Sequence, residues 1–200
     1  MSPQPENLAA APAPSRTAQS EFSLEERLVL LKLAHESILS ALEHREISLT
    51  PPSPHLAEPQ GAFATIYFQG LLRGCVGYVV PAASLYRTVA ETARAAAFDD
   101  TRFSPITIGE AAALEVSLSI LSPLKVVGPE EIEIGVHGLV ISHGGRRGLL
   151  LPQVPVEHQW DRSTFIEQTC RKAGLPVDTL QKGATLQVFS AEVFGDRDLK

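Results

Sequence analysis

Arg73 and Cys75 stand two residues apart in the run LLRGCVGYV, Leu71 to Val79, and Cys75 is one of only two cysteines in the chain. In extended backbone, side chains alternate between faces, so Arg73 and Cys75 point the same way. Two residues of rise is about 6.5–7 Å, which a long guanidinium can cover toward a sulfur. A nearby cation favours the thiolate, the form of cysteine that acts as a nucleophile or soft ligand. Gly74 and Gly77 remove bulk from the same run, so a ligand or another backbone can come close. The same pattern also fits packing: a free cysteine in an apolar strand is an inert small hydrophobe, and its arginine pairs with a carboxylate.

Other residues could complete such a site. Glu115, between Leu114 and Val116, lies on the polar face of an alternating segment; with a raised pKa it would be a general base, and otherwise it is solvated or paired with an arginine. His137 stands where a strand begins and would carry protons if it lay near Cys75; the alternative is a strand-end imidazole bonded to backbone. Asp100 and Arg102 share a loop, where they either orient an anionic substrate or lock the loop as an ion pair. Gln153, Glu157 and Trp160 follow RRGLLLP. Trp160 could floor a pocket by stacking, with Gln153 fixing orientation, or it could simply be core. Cys170 reads as a packed thiol.

Several classes are excluded or disfavoured. The formal charge of −6 and scattered Lys and Arg argue against nucleic acid as the main partner. No phosphate-binding GxxxxGK[ST], no GxGxxG and no GxSxG elbow is present. No His, Cys, Asp or Glu set has a recognised metal spacing, and no cofactor is named by the sequence. No stretch approaches the roughly 20 apolar residues of a membrane span. The N-terminus does not read as a secretory signal, and two distant cysteines make no disulfide framework, so a reduced, cytoplasmic protein is expected.

The elements that must position these residues follow from periodicity. Residues 1–20, rich in Ala, Pro, Ser and Gln, read as a disordered tail ahead of one domain over 21–196. Ser23 and Glu26 form a capping box before Leu28, Leu31, Ala34, Ile38 and Leu42 at helical spacing; the Pro-rich 50–54 reads as a surface loop. Residues 61–79 predict a hairpin turning at Gln69-Gly70, and Ser84 caps a helix to about Phe98. Thr107 and Glu110 open a short helical turn before the alternating strand from Leu114. A second hairpin turns at Gly144-Gly145, a helix runs from about Ser163 to Ala173, and 185–194 predicts one final strand. Strands in hairpin-sized groups, without a βαβ rhythm, predict an α+β fold with a mainly antiparallel sheet flanked by helices.

The blocks LLRGCVG, AAAFDDTRFSPIT, LEVSLSIL, GVHGLVIS, RRGLLLPQV, WDRSTFIEQTCRKAGLP and AEVF, in this order, resemble an AMMECR domain, whose prokaryotic members are called AmmeMemoRadiSam system protein A. The likeness runs from about Leu24 to Phe194. It implies two unequal subdomains with a cleft between them, and Memo-type and radical SAM proteins as partners; it implies no agreed reaction. The family's LRGC signature falls on Leu72, Arg73, Gly74 and Cys75, followed by Val76 and Gly77. Its DxRF block falls on Asp100 and Arg102, its LLPQV glutamine on Gln153, and its downstream acid and tryptophan on Glu157 and Trp160. His158 and Gln159 stand where the family is often Gly-rich.

Two functions of different kind fit. One is a small-molecule enzyme, or enzyme subunit, with Cys75 as nucleophile or ligand, Arg73 as thiolate stabiliser, and Glu115 or His137 as proton carrier. The other is a non-catalytic interaction module presenting the same patch to those partners.

Overall fold

The computed structural model describes residues 21–198; the predicted tail over 1–20 lies outside them. Two four-stranded sheets, antiparallel in every pairing, carry the fold, which is α+β as expected.

The first sheet has the order β2-β1-β3-β8, from β1 (Ala62–Phe68), β2 (Leu71–Tyr78), β3 (Leu114–Leu121) and β8 (Ala191–Gly195). Gln69 and Gly70 both take positive φ, 52° and 79°, which gives the two-residue turn the twist that a hairpin requires. Alternation then sorts each strand. Ala62, Ala64 and Ile66 of β1 and Val116, Leu118 and Ile120 of β3 are buried beneath two helices, α1 (Leu24–Leu42) and α3 (Leu85–Phe98). Both helices start at the serines expected to cap them. The Ser23 hydroxyl accepts from the Glu26 amide while Glu26 accepts from the Ser23 amide, and Ser84 accepts from the Arg87 amide. The opposite face of the sheet carries Phe63, Thr65, Tyr67, Cys75, Glu115 and Ser117, all half-buried.

The second sheet, β4-β7-β5-β6, comes from β4 (Lys125–Val126), β5 (Gly138–His143), β6 (Arg146–Leu150) and β7 (Thr185–Phe189). Its own apolar cluster, with Leu139, Ile141, Leu186 and Val188, packs against Phe165, Cys170 and Ala173 of α6 (Arg162–Lys172) and the residue that follows it. Asp161 caps α6, accepting from the Thr164 amide, and Gly174 leaves it at φ 65°. A third cluster, including Phe63, Leu121, Val140 and Phe189, joins the sheets.

Three expectations change. The strand predicted over 185–194 is two strands in different sheets, divided at Ser190. The chain crosses between sheets twice at one place, after β3 and after β7. The crossings are tied together: Ser122 N–H donates to the Ser190 carbonyl (2.9 Å) and Ser190 N–H donates to the Ser122 hydroxyl (3.0 Å). The Pro-rich loop ends in a short helix, α2 (Pro54–Ala57), capped by Ser53, and α5 (Gln153–Glu157) follows β6. A further short helix, α4 (Ile108–Ala111), starts at the predicted Thr107–Glu110 capping box. Finally, the candidate residues do not line one cleft between the two sheets; they divide into separate places.

Candidate functional site at Cys75

The pairing of β1 with β2 sets Cys75 directly opposite Thr65, and the Thr65 hydroxyl donates to Cys75 Sγ at 3.4 Å. One residue of slippage then enters. Ile66 faces Gly74 but Tyr67 faces Leu72, which leaves Arg73 as the extra residue of a β-bulge. Bulges re-aim side chains, and here the same-face argument for Arg73 and Cys75 fails. The Arg73 guanidinium lies on α4 and the loop before it. Its Nε and Nη2 donate to Glu110 Oε1 (3.1 and 2.9 Å), and its Nη1 donates to the Ser104 carbonyl (2.9 Å). Glu110 is held below the usual carboxylate range, first by the Thr107 amide and hydroxyl and then by Arg73. The clearance at Gly74 also serves packing: a Cβ there would stand 1.9 Å from the Ala96 carbonyl of α3.

A different arginine attends Cys75. Asp100, whose side chain is 7% exposed, accepts the Cys75 amide on Oδ2 (2.9 Å), and Arg102 donates to both of its oxygens (2.9 and 2.7 Å). Arg102 Nη2 also reaches the Cys75 carbonyl at 3.5 Å. The peptide groups on both sides of the Cys75 side chain are therefore engaged by one ion pair. The Arg102 hydrogen bonds hold the Asp100 carboxyl far below the usual range, with the Cys75 and Arg102 amides adding to the effect. Arg102 is in turn held more firmly charged, chiefly by Asp100, with the charge of Cys75 contributing. On the same face, burial pushes the Tyr67 phenol up, and negative charge at Cys75 pushes it further. Tyr67 thus keeps its proton at neutral pH.

Glu115 shares the Cys75 face but is committed to another cation, and the remaining candidates lie around the second sheet. Glu115 is paired with Arg197 (Nε to Oε2, 2.6 Å), whose guanidinium sits 5.7 Å from the centre of the Tyr67 ring. His137 is tied to the turn before β5, its Nδ1 accepting the Glu133 amide at 3.1 Å, and no hydrogen bond joins it to Cys75. Gln153 opens α5 and Glu157 closes it, exposed to solvent. Trp160 packs on the second cluster and stacks with His158, ring centres 4.7 Å apart. Thr65 and Tyr67 were missed by sequence reasoning; the alternation of AFATIYF was the signal that could have found them. Among the described residues, no group of three or more His, Cys, Asp or Glu side chains is placed to hold a metal ion, and no helix is long and apolar enough to cross a membrane.

The AMMECR1 family model matches residues 31–194. The chain belongs to the AMMECR1 family. A protein of Methanopyrus kandleri is 40% identical over 190 residues, 89% of this chain and 92% of its own length. One of Aquifex aeolicus is 38% identical over 179 residues, 84% of this chain and 92% of its own. A crystal structure of an uncharacterised protein from Pyrococcus horikoshii superposes with a TM-score of 0.71 at 35% identity, covering 85% of this chain and 91% of that one. This family member therefore shares its fold with a solved relative over nearly all of the described residues.

Proposed function

We propose that the protein is a small-molecule enzyme, or a subunit of one, working through the Cys75 thiolate on the half-buried face of the first sheet, away from its helices. Arg102, not Arg73, stabilises that thiolate and anchors an anionic group of the substrate. Asp100 fixes both, Thr65 donates to the sulfur, and Tyr67, protonated at neutral pH, is the proton donor to the leaving group, since Glu115 and His137 are committed elsewhere. The likeness to AmmeMemoRadiSam system protein A supports Memo-type and radical SAM proteins as its working partners.

The grip on the Cys75 peptide carries this reading. A thiol that only fills space needs hydrocarbon around it, as Cys170 has. Cys75 instead has a hydroxyl on its sulfur and an ion pair on its backbone, and its residue is partly exposed, as a cysteine must be to react.

Alkylation of the folded native chain with iodoacetamide at neutral pH, followed by peptide mapping, tests it. Cys170 is an internal control, because burial first, and Glu167 next, push its thiol up. Modification of Cys75 while Cys170 stays intact is expected. If both cysteines react only when the protein unfolds, Cys75 is no nucleophile.

A further inference from the structure

On the helix-covered side of the first sheet, β8 pairs with β3 only from Ser117 onward, so the β3 edge at Leu114–Val116 lacks a neighbouring strand. Asp196 caps that edge, its Oδ2 accepting the Val116 amide at 2.7 Å and bonding His35 Nε2 of α1 at 2.8 Å. A carboxylate only accepts, so Nε2 carries the proton. Beside this pair is a concavity of about 410 Å³ with Leu28, Leu31 and Leu114 as its apolar wall. A second, of about 280 Å³, continues along α1 toward Ile108 and shares Lys32, His35 and Leu114 with the first.

The charges around the groove are unequal in their commitments. Glu115 is engaged by Arg197, Asp196 by His35 and the Val116 amide, and Glu36 by Arg45. Lys32, exposed and on both concavities, has no ion-pair or hydrogen-bond partner among the described residues. The apolar wall is likewise incompletely covered: Leu28 is 48% exposed and Ile108 62%. An uncommitted cation over a continuous apolar groove is complementary to one kind of small molecule, an acid group on a hydrocarbon body.

We propose that the groove beside α1 is a binding site for a small amphipathic carboxylate, its acid on Lys32 and its chain against Leu28, Leu31 and Leu114. The residues that carry it, Leu28, Leu31, Lys32 and Leu114, lie on the helix-covered side, away from Cys75; of the lining residues only Glu115 belongs to the Cys75 face. Two exposed residues carry it, so both can be changed without threatening the core.

Titration of the full chain with decanoate below its micelle concentration, followed by amide NMR shifts, tests the assignment. Saturable shifts are expected at Leu28, Leu31, Lys32, His35 and Leu114, with the Cys75 alkylation rate unchanged. Lys32→Ala should weaken binding about threefold, as for an exposed ion pair. Leu28→Asp should weaken it about tenfold, as for loss of a large apolar contact. Decylamine should bind more weakly than decanoate. Absence of saturable shifts at these amides overturns the proposal, as does decylamine binding at least as tightly, or affinity indifferent to both substitutions.

Discussion

Replacing Asp100 with asparagine removes the charge that holds Cys75 and Arg102 together while keeping the side chain's shape. The carboxylate receives the Cys75 amide, the Arg102 amide and two guanidinium hydrogens. Asparagine keeps one acceptor oxygen and turns an NH2 toward groups that are all donors. Hydrogen bonds to a charged group are worth about 1.5–3 kcal/mol net, and removing one side of a buried pair costs about 3–5 kcal/mol. The Arg102 side chain is 54% exposed and can be rehydrated, so the smaller range applies and we expect a loss of about 2–3 kcal/mol. At about 2–4 °C per kcal/mol for a chain of this size, Tm falls by about 4–12 °C at neutral pH. The pH dependence has a definite sign. The Asp100 carboxyl is depressed in the folded state and titrates near 3.9 when unfolded. Its stabilisation is therefore complete above about pH 5 and shrinks as pH falls below about 4. Calorimetry of both proteins should show a gap that is full at neutral pH and has only begun to close by about pH 3, where the unfolded carboxyl is protonated and the folded one is still charged. Effects common to every other carboxylate cancel in the difference. A gap under about 1 °C at neutral pH, or one that does not narrow in acid, refutes the clamp.

Gly74→Ala should cost about 1–3 kcal/mol or more, because the new methyl meets helix backbone and not a movable side chain; urea denaturation measures it, with a reduced midpoint at constant slope. Thr65→Val should leave Tm nearly unchanged but slow Cys75 alkylation, while Thr65→Ser restores it, because the hydroxyl on Sγ is what matters. Trp160→Ala should cost about 2 kcal/mol, roughly half the value for a fully buried tryptophan, since the ring is partly exposed over the second cluster; thermal unfolding followed by far-UV circular dichroism checks it.

Local signals wrote most of the elements into the sequence. Ser23 with Glu26, Ser84, and the turns at Gln69-Gly70 and Gly144-Gly145 each satisfy a backbone requirement within a few residues. The break at Ser190 was hidden because alternation continues through it without a glycine or proline, and only the distant Ser122 explains it. Arg73 misled for a related reason. Period two holds in a regular strand, and the bulge that turns Arg73 onto Glu110 depends on β1 pairing rather than on any residue type in LLRGC. Asp100 and Arg102 were singled out, but their grip on Cys75 joins residues about 25 apart in the chain. Thr65 and Tyr67 drew no notice because both are ordinary strand residues.

The most direct test of the account compares two arginines by one rate. Iodoacetamide labelling of Cys75 at neutral pH should slow several-fold in Arg102→Ala and stay within about twofold of native in Arg73→Ala, both proteins first shown to be folded. Slowing by the loss of Arg73 with indifference to the loss of Arg102 would contradict it.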